Sequence, residues 1–325
     1  MVHKEKRELT SSEILVRVDA CGICGTDVHI VDGTSRSNPP VVLGHEFAGT
    51  VEEVASDVAD IKPGQKVAVD PNIACGACYF CRRGEVHLCS NLKALGVDID
   101  GGMAEYCFVP QRQAHILPDG FPSDAGAFVE PLSCAVHGID RAGIKTGDTV
   151  AIIGAGTIGL LMLQLARHAG AARTIVVEPL EQKRRIAQQL HAVDLVNPLE
   201  QDPVKTVRAL TTHGADVVIE CAGNVSTAQM ALELARRGGT VELFGVCPLG
   251  ESIPLEPNQV YFKELTIVGS YVNPNTFSRA IGLLQHGVVR VDEFQVKKFS
   301  LDDVHEALRH QKEGKTIKSF IVPSL

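Results

Sequence analysis

The sequence predicts an α/β protein in two parts: a doubly wound parallel sheet and, before it, an irregular, mostly β domain. Its 325 residues are about twice the length of an average domain. From residue 149 onward, short apolar runs alternate with stretches of helical spacing, whereas residues 1–136 carry short strands between Gly, Pro and Asp turns. Apolar residues make up 45% of the chain and charged residues 22%, so the chain can bury a sizeable core.

In the second half, apolar and β-branched runs continue without polar alternation, which is typical of strands buried on both faces of a parallel sheet. The predicted strands are residues 150–153, 174–177, 216–219, 240–244 and 265–268. The predicted helices are residues 160–168, 181–190 and 226–236. This alternation predicts a sheet that is covered by helices on both sides.

The first part has the short strands of an all-β domain, which are predicted at residues 14–18, 47–54, 66–69 and 104–109. The tail after Tyr271 is predicted to form a helix at residues 277–285 and strands at residues 295–299 and 318–322, with a further helix between those strands. We expect this tail to complete the first domain.

The net charge of −8 argues against a nucleic-acid or anionic-membrane partner, because binding such partners needs an excess of Lys and Arg. The most apolar window, residues 150–163, is interrupted by glycines and is shorter than a membrane helix needs. The first 18 residues include many charged side chains and no apolar core of signal-peptide length. We therefore expect a cytoplasmic protein that binds neither nucleic acid nor membrane.

Four of the ten cysteines, Cys75, Cys78, Cys81 and Cys89, follow a C-x2-C-x2-C-x7-C spacing. Cysteines this close in sequence converge on one cation more readily than on each other, and four thiolates are the ligand set of a closed, structural Zn²⁺ site. Such a site would hold a loop together and would leave no position for a substrate. An iron–sulfur cluster and reduced thiols are the alternatives, although an iron–sulfur run usually continues with C-x3-C-P.

Gly154, Gly156 and Gly159 form a G-x-G-x-x-G motif after a predicted strand and before a predicted helix. In this context the glycines allow a tight turn, close approach of a pyrophosphate and helix–strand packing, with the helix N-terminus facing the phosphates. Glu178 ends the next strand, where a carboxylate accepts the ribose hydroxyls of NAD and repels a 2′-phosphate. NAD is favoured over NADP, although the basic residues 183–185 would attract that phosphate; a purely structural glycine turn is the alternative.

A second set of metal-ligand types comes earlier, in CGICGTDVH, which contains Cys21, Cys24 and His29, and in GHE, which contains His45 and Glu46. Thiolate, imidazole and carboxylate are zinc ligands, and a site with three protein ligands keeps a fourth position for water or substrate. The C-x2-C pair would alternatively be a redox pair, but that motif is typical of a βαβ context. We predict an open, catalytic zinc site.

These residues resemble the zinc-dependent medium-chain dehydrogenase/reductase superfamily, in its polyol (sorbitol) and threonine dehydrogenase branch. The shared motifs occur in the family's order over nearly the whole chain: CGICGTDVH, GHEFAGTVEEV, the four-cysteine lobe, GGMAEY, VEPLSCAVH and GAGTIG. The resemblance implies a GroES-like catalytic domain at residues 1–136 and 275–325, with a structural zinc lobe around residues 71–91, and a Rossmann NAD-binding domain at residues 137–274. Fewer residues precede Ser12 than in most members, so the catalytic domain either lacks an edge hairpin or has a truncated start.

The resemblance also implies roles for single residues. The implied ligands of the catalytic zinc are Cys24, His45 and Glu46, with Glu130 as a further ligand or water-linked partner. Thr26 matches the hydroxyl residue beside the bound alcohol, and His29 matches the histidine that relays the proton. The residues that match NAD contacts, together with the glycine motif, are Ile158, Glu178, Lys183, Phe244, Gly245, Val246, Ser270 and Tyr271.

By the same resemblance, the reaction is the transfer of a hydride from a secondary alcohol, a polyol or sugar alcohol, to NAD, which gives the ketone. Zn²⁺ at two sites per chain and NAD are the expected cofactors, and a homotetramer or homodimer is the expected assembly. An L-threonine 3-dehydrogenase is the alternative enzyme, but its usual Asp-Pro-Phe segment is replaced here by Glu130-Pro131-Leu132. The alternative of another class is a non-catalytic NAD-binding protein that is stabilised by structural zinc. Such a protein would not need an open metal site.

Overall fold

Two compact units make up the chain in a computed structural model that describes residues 4–35 and 37–325. Within these residues, unit 1 comprises the chain up to Ser133, Val272–Gly287 and Gln295–Leu325, and unit 2 comprises Cys134–Tyr271 and Val288–Phe294. The domain bounds given by the sequence stay a prediction, and their residues 1–3 lie outside the described ones. None of the helices in the described ranges is long and apolar enough to cross a membrane.

The strands are β1 Glu13–Gly22, β2 Glu46–Val54, β3 Lys66–Val69, β4 Asn72–Ile73, β5 Lys93–Ala94, β6 Tyr106–Pro110, β7 Ala114–Ile116, β8 Thr149–Ile153, β9 Arg173–Val177, β10 Asp194–Val196, β11 Ala215–Glu220, β12 Ala235–Leu243, β13 Thr266–Gly269, β14 Val296–Phe299 and β15 Lys318–Ile321. The helices are α1 Gly25–Val31, α2 Tyr79–Arg82, α3 Ser123–Ala127, α4 Val129–Ala142, α5 Thr157–His168, α6 Glu181–Gln189, α7 Pro203–Thr211, α8 Val225–Leu234, α9 Pro257–Lys263, α10 Phe277–Gln285 and α11 Val304–Lys312.

Unit 1 is built on a sheet whose order is β14-β15-β1-β2-β3-β7, with β6 also paired with β1. Strand β1 pairs antiparallel with β2 and β6 and, at its end, with β15. Its side chains are almost all buried, and Ile14 and Val16 pack with Phe47, Val67 and Ile321 in one apolar cluster. The predicted strands of this part are confirmed in position, but the unit is not all β, since α1, α3 and the first turn of α4 belong to it.

Unit 2 contains a parallel sheet in the order β10-β9-β8-β11-β12-β13. Numbered along the chain within this unit, the order is 3-2-1-4-5-6, which is that of the Rossmann fold. Strands β8 and β9 are buried along nearly their whole length, as expected of strands that are covered by helices on both faces. The doubly wound fold predicted from the sequence is confirmed.

Several elements differ from the sequence-based prediction. The helix predicted at residues 226–236 ends at Leu234, because Ala235 already belongs to β12. The elements that were not predicted are strands β4, β5, β7 and β10 and helices α1, α2, α3, α4, α7 and α9. Strand β10 has three residues and pairs with one neighbour, β9, so it carries too short a pattern to be recognised.

Glu242 is a buried carboxyl in the middle of unit 2. It lies in β12 with no exposed surface, and neither of its carboxylate oxygens has a hydrogen-bond partner in the described part of the chain. Burial raises the pKa of Glu242 to about 8, while the positive charge of Arg141 acts in the opposite direction. The side chain is therefore neutral in the folded protein at pH 7.

We predict that Glu242→Gln leaves the stability unchanged near pH 5 and raises it at pH 8.5. Glu242 has a pKa of about 8 in the folded protein and an ordinary value of 4.5 in the unfolded chain. Below pH 4.5 both states hold the proton, and the full stability is present. As the pH rises from 4.5 to about 8, only the unfolded chain releases the proton, so the free energy of unfolding falls. The loss would be about 3–5 kcal/mol in the free energy of unfolding. Glutamine keeps the shape of the neutral acid and does not ionise.

Urea titrations at pH 5 and pH 8.5 measure this difference. Glu233→Gln is the matched control, because Glu233 lies on α8 of the same unit and is exposed. An equal pH dependence of unfolding in wild type and Glu242→Gln would contradict the assignment of a neutral Glu242.

Candidate active site

The pairing of β1 with β2 brings the candidate metal ligands of unit 1 together. Gly22, at the end of β1, is opposite Glu46, at the start of β2. Cys24 follows two residues later as the N-cap of α1, and His45 directly precedes β2. The ligand atoms of Cys24, His45 and Glu46 all lie within 4.8 Å of one another. Two strand ends therefore place a thiol, an imidazole and a carboxylate around one point.

Asp27 joins this cluster from the first turn of α1. Its Oδ2 atom accepts a hydrogen bond of 2.8 Å from the backbone N–H of Cys24, which fixes the start of the helix. Its Oδ1 atom lies 3.5 Å from Nδ1 of His45, and Asp27 is fully buried. A carboxylate on one ring nitrogen orients the imidazole and leaves the other nitrogen, Nε2, for a metal ion.

The electrostatics of this cluster favour a cation. Burial lowers the pKa of His45, but the negative charges of Asp27 and Cys24 outweigh burial and hold it well above the ordinary value. Among the residues that the structure describes, neither Asp27 Oδ1 nor His45 Nδ1 has a hydrogen-bond partner of normal geometry. A soft thiolate, a borderline imidazole and a carboxylate in a buried, negative environment fit Zn²⁺.

Lys318 contributes a positive charge to the same cluster. Its ammonium group, on β15, forms an ion pair with Glu46, and both side chains are only 3% exposed. Burial lowers the pKa of Lys318, but the charges of Glu46, Cys24 and Glu130 raise it above the ordinary value. Glu130 therefore faces the same lysine as two of the candidate ligands, although it is not a member of the group that lies within 4.8 Å.

Thr26 and His29 lie on α1, downstream of Cys24. Thr26 is half-buried, and its Oγ1 atom lies 3.7 Å from Sγ of Cys24, in hydrogen-bond contact. Nδ1 of His29 lies 3.2 Å from Oγ1 of Thr34, so the imidazole is held by a hydroxyl on one side. The structure thus places Thr26 against a candidate ligand and His29 one helical turn further along the chain.

The four lobe cysteines form a second cluster in unit 1. Their sulfur atoms lie within 4.8 Å of one another, and backbone N–H groups of Cys75 and Asn91 donate to Cys89 Sγ. Hydrogen bonds from the backbone N–H groups of Cys81 and Ser90 lower the pKa of Cys78 to about 6. Four converging sulfurs, one of them readily ionised, match the donor set of a closed zinc site.

In unit 2, the glycine motif forms the turn between β8 and α5. Gly154 has a φ angle of 95°, and a Cβ on Gly159 would lie 1.9 Å from the carbonyl oxygen of Gly154. Gly156 is the N-cap of α5, and nothing lies within 4 Å of the position where its Cβ would be. The turn is therefore tight, closely packed against its helix, and open where a pyrophosphate approaches.

Glu178 follows β9 and is tied to this turn. One of its carboxylate oxygens accepts from the N–H of Ala155 at 2.8 Å, and the other accepts from the N–H of Leu180 at 2.9 Å. Arg184 donates to the backbone oxygens of Glu178 and Pro179, whereas Lys183 is half-buried and Arg185 pairs with Glu181. Each Glu178 oxygen keeps a lone pair that can accept a ribose hydroxyl.

The other candidate cofactor residues lie at the carboxyl ends of neighbouring strands. Phe244, Gly245 and Val246 follow β12, and Ser270 and Tyr271 follow β13. Ligands of doubly wound sheets bind beyond these strand ends. Ile158 lies in the first turn of α5, after the glycine turn.

Three residues with evident roles in these sites were missed from the sequence: Asp27, Lys318 and Glu220. Glu220 is fully buried, and its Oε1 atom accepts from the N–H groups of Ala222 and Gly223 and from the hydroxyl of Thr227, which shapes the loop after β11. A local signal existed for Asp27, a carboxylate three residues after a helix N-cap, and for Glu220, a carboxylate at the end of a mostly apolar strand. Lys318 carries no local signal, because its partner Glu46 is distant in sequence.

A Rossmann sheet with a phosphate-binding turn, together with a β unit that carries a buried thiol–imidazole–carboxylate cluster, defines a metal- and nicotinamide-dependent oxidoreductase. Comparison with known proteins agrees. Residues 10–119 match the family described as alcohol dehydrogenase GroES-like domain, and residues 157–286 match the zinc-binding dehydrogenase family. The chain belongs to the zinc-dependent medium-chain dehydrogenase/reductase superfamily, in its polyol and threonine dehydrogenase branch, and is an NAD(P)-linked alcohol dehydrogenase.

Relatives with assigned activities are similar over nearly their whole length. An L-threonine 3-dehydrogenase of Bacillus licheniformis is 34% identical, over 97% of this chain and 93% of the relative. D-arabinitol dehydrogenase 1 of Uromyces fabae is 32% identical, over 96% and 90%. The crystal structure of a zinc-binding dehydrogenase from Sinorhizobium meliloti, bound to NADP, has a TM-score of 0.94 and 44% identity, and the match covers 98% of this chain and 94% of that one. The superfamily and fold that were predicted from the sequence are confirmed.

We predict that the two cysteine-containing clusters separate chemically. Cys24→Ser and His45→Ala should leave a folded protein that has lost alcohol oxidation and contains one zinc fewer per chain, because an open site contributes little to folding. Cys78→Ser should instead lower the melting temperature, because it removes a ligand from a loop-closing site.

Elemental analysis, circular dichroism and activity of the three variants provide the measurement. Cys107→Ser serves as the matched control, since Cys107 is buried in the core of unit 1 and lies in neither cluster. Equal loss of folding in all three cluster variants would contradict the division into an open and a closed site.

Proposed function

We propose that the chain oxidises a secondary alcohol of the polyol class with NAD and that it binds two zinc ions. Cys24, His45 and Glu46 would hold the catalytic ion, with Glu130 nearby, and the four lobe cysteines would hold the structural one. The observation that carries this proposal is the convergence of three unlike ligand atoms within 4.8 Å in a buried, negative site. When bound, zinc and NAD supply a Lewis acid and a hydride acceptor.

The residues around this cluster handle the alcohol and its proton. Asp27 holds the His45 imidazole in one orientation, and Lys318 offsets the charge of Glu46. The hydroxyl of Thr26, in contact with Cys24 Sγ, would accept a hydrogen bond from the alcohol and, as it receives that proton, would pass its own proton onward in the direction of His29. His29 would release the proton to solvent, because imidazoles exchange protons near neutral pH.

A polyol is favoured as substrate over L-threonine. The segment Glu130-Pro131-Leu132 stands where threonine dehydrogenases usually have Asp-Pro-Phe, and its buried acid, one methylene longer than an aspartate, acts on the buried ammonium group of Lys318. The similarity to D-arabinitol dehydrogenase 1 supports a polyol. The similarity to L-threonine 3-dehydrogenases keeps oxidation of an amino alcohol as the second candidate.

NAD is favoured over NADP because Glu178 presents a carboxylate to the adenosine ribose. Its oxygens are held by the N–H groups of Ala155 and Leu180, so this negative charge is fixed where a 2′-phosphate would have to lie. Arg184 already donates to the backbone oxygens of Glu178 and Pro179, so its guanidinium is less available to bind a 2′-phosphate. The similar protein from Sinorhizobium meliloti was crystallised with NADP, which supports NADP as the cofactor instead. Kinetic comparison of the two cofactors distinguishes these possibilities.

We propose that the chain forms a homodimer or homotetramer through the edge of the unit 2 sheet at β13. Strand β13 is the last strand of the parallel sheet, and Ile267 on this strand is 36% exposed. Tyr261 and Phe262, at the end of α9, are 77% and 67% exposed. Within the described residues β13 pairs only with β12, and exposed apolar side chains on such an edge strand and in the helix that precedes it are typical of a surface that a second chain covers.

We predict that kcat/KM is highest for a polyol with NAD when polyols, sugars and L-threonine are each tested with NAD and NADP. The reason is the charge of Glu178 at the ribose and the Glu130-Pro131-Leu132 segment at the substrate side. Glu178→Ala should narrow the difference in kcat/KM between NAD and NADP, and Glu233→Ala, which removes an exposed acid on α8 of the same unit, is its control. A higher kcat/KM for L-threonine than for any polyol would overturn the assignment of the substrate. A higher kcat/KM with NADP than with NAD in the wild type would overturn the assignment of the cofactor.

We predict that His29→Ala slows alcohol oxidation by about 10² to 10⁴-fold and most strongly at low pH, where water is a poor base. Zinc content and NAD affinity should not change, because His29 acts on the proton and not on the metal. The measurement is kcat/KM against pH, with Thr34→Val as a control that keeps the imidazole and removes the hydroxyl contacts to its ring and to the backbone oxygen of His29. Superimposable profiles of wild type and His29→Ala would mean that His29 has a local packing role.

A further inference from the structure

Asn273 is a buried amide with two side-chain partners in unit 1. It is 2% exposed and follows Val272, the first residue of the second stretch of unit 1. Its Nδ2 atom donates to Oγ of Ser133 at 2.9 Å, and its Oδ1 atom accepts from Nδ2 of Asn72 at 2.8 Å. Neither the glycine motif nor either ligand cluster includes this residue.

Ser133 carries the contact into the first turn of α4. Its hydroxyl donates to the backbone oxygen of Glu130 at 2.6 Å, and Ser133 is fully buried. The hydroxyl of Thr276 donates to the backbone oxygen of Ser133 at 2.8 Å. The turn that presents Glu130 is thus held from the segment that contains Asn273 and Thr276.

The side-chain donors of this network run from Asn72 to Asn273, from Asn273 to Ser133 and from Ser133 to the backbone of Glu130. The backbone N–H of Asn72 donates to Asp70 at 2.9 Å, and Gln113 donates to the backbone oxygens of Asp70 and Asn72 at 3.1 and 2.8 Å. Held in this way, Asn72 offers its amide N–H to Asn273, which in turn donates to Ser133. An amide fixed at both ends has one orientation, so the backbone of Glu130 is tied to a rigid support.

The position of Glu130 matters because its side chain is buried close enough to Lys318 to act on the same ammonium group as two of the candidate ligands. It acts on Lys318 together with Glu46 and Cys24, and it is 7% exposed. A buried acid beside a cluster of ligands acts reproducibly only if its backbone is fixed, since an ångström of displacement would change whether it contacts a bound metal or a water on that metal.

We propose that Asn273 is a positioning residue that holds Glu130 at the catalytic metal through Ser133. The inference rests on the proposed function, because it takes Cys24, His45 and Glu46 as the ligands of that metal. Asn273 touches neither substrate nor metal. Losing its N–H donor would release the first turn of α4 and leave Ser133 without a partner that directs its hydroxyl to Glu130.

The diagnostic variant is Asn273→Asp, which keeps the size of the side chain and the acceptor for Asn72 but has no N–H to donate to Ser133. In protein whose catalytic site is loaded with Co²⁺, we expect the visible absorption bands to shift. We also expect kcat to fall by about 10- to 100-fold, the usual effect of losing a group that orients a metal ligand. KM for NAD should stay unchanged, because the change lies outside unit 2.

Gln164→Glu is the matched control for a buried amide. Gln164 is 8% exposed in unit 2, donates to the backbone oxygen of Arg290 at 3.0 Å, and accepts from its N–H at 2.8 Å. It should lower the melting temperature without moving the cobalt bands. If Asn273→Asp does not fold, Ser133→Ala removes the same link with a smaller side chain and carries the same expectation.

The outcomes separate the inference from the function on which it rests. Cobalt bands that depend on Cys24 in the wild type but are unchanged in Asn273→Asp and Ser133→Ala would overturn the role of Asn273 alone. The absence of any Cys24-dependent band in the wild type would overturn the metal assignment and this role with it. A shifted spectrum with lowered kcat in both variants, and an unshifted one in Gln164→Glu, supports the proposal.

Discussion

The candidate site depends on a concentration of negative charge that is buried in unit 1. Cys24, Asp27 and Glu46 meet where β1 ends and β2 begins, and Glu130 faces the same place from α4. Removing ionisable groups from water costs several kcal/mol for each ion unless partners compensate. Lys318 compensates part of this cost through its ion pair with Glu46, and a divalent cation among the three ligands would compensate more. The same buried charges therefore favour the binding of a divalent cation by the folded unit.

The backbone around this charge is organised to keep it in place. The β1–β2 pairing sets the separation of the ligands, the Asp27 cap starts α1 at Cys24, and the network through Asn273 fixes the turn of Glu130. Unit 2 has a different requirement, because binding a dinucleotide needs backbone N–H groups for the phosphates and one carboxylate for the ribose. It meets this requirement with strand order and a glycine turn, both of which are properties of the backbone.

Sequence reasoning succeeded where the determining interactions are local. The glycine turn, the four-cysteine spacing and the helix at residues 277–285 all carry their pattern within a few residues. Helix α7 had a local signal too, Asp202-Pro203, in which Asp202 caps the N–H groups of Val204 and Lys205, but its apolar pattern is weak.

The partners that complete the site could not be predicted, because they are distant in sequence. Lys318 lies 272 residues from Glu46, and Asn273 lies 140 residues from Ser133, so only the sheet order and the return of the tail to unit 1 bring them together. Neither residue type suggests such a role by itself. The burial of Glu242 could not be predicted either, because a charged residue in a strand usually faces solvent.

An anomalous difference map at the zinc absorption edge, from crystals of the wild-type protein, tests the central claim most directly. We predict two peaks per chain: one among the four lobe sulfurs, and one bonded to Cys24 Sγ at about 2.3 Å and to His45 Nε2 at about 2.0–2.1 Å. A map with a peak in the cysteine lobe and none beside Cys24 and His45, in enzyme that oxidises an alcohol, would contradict the account.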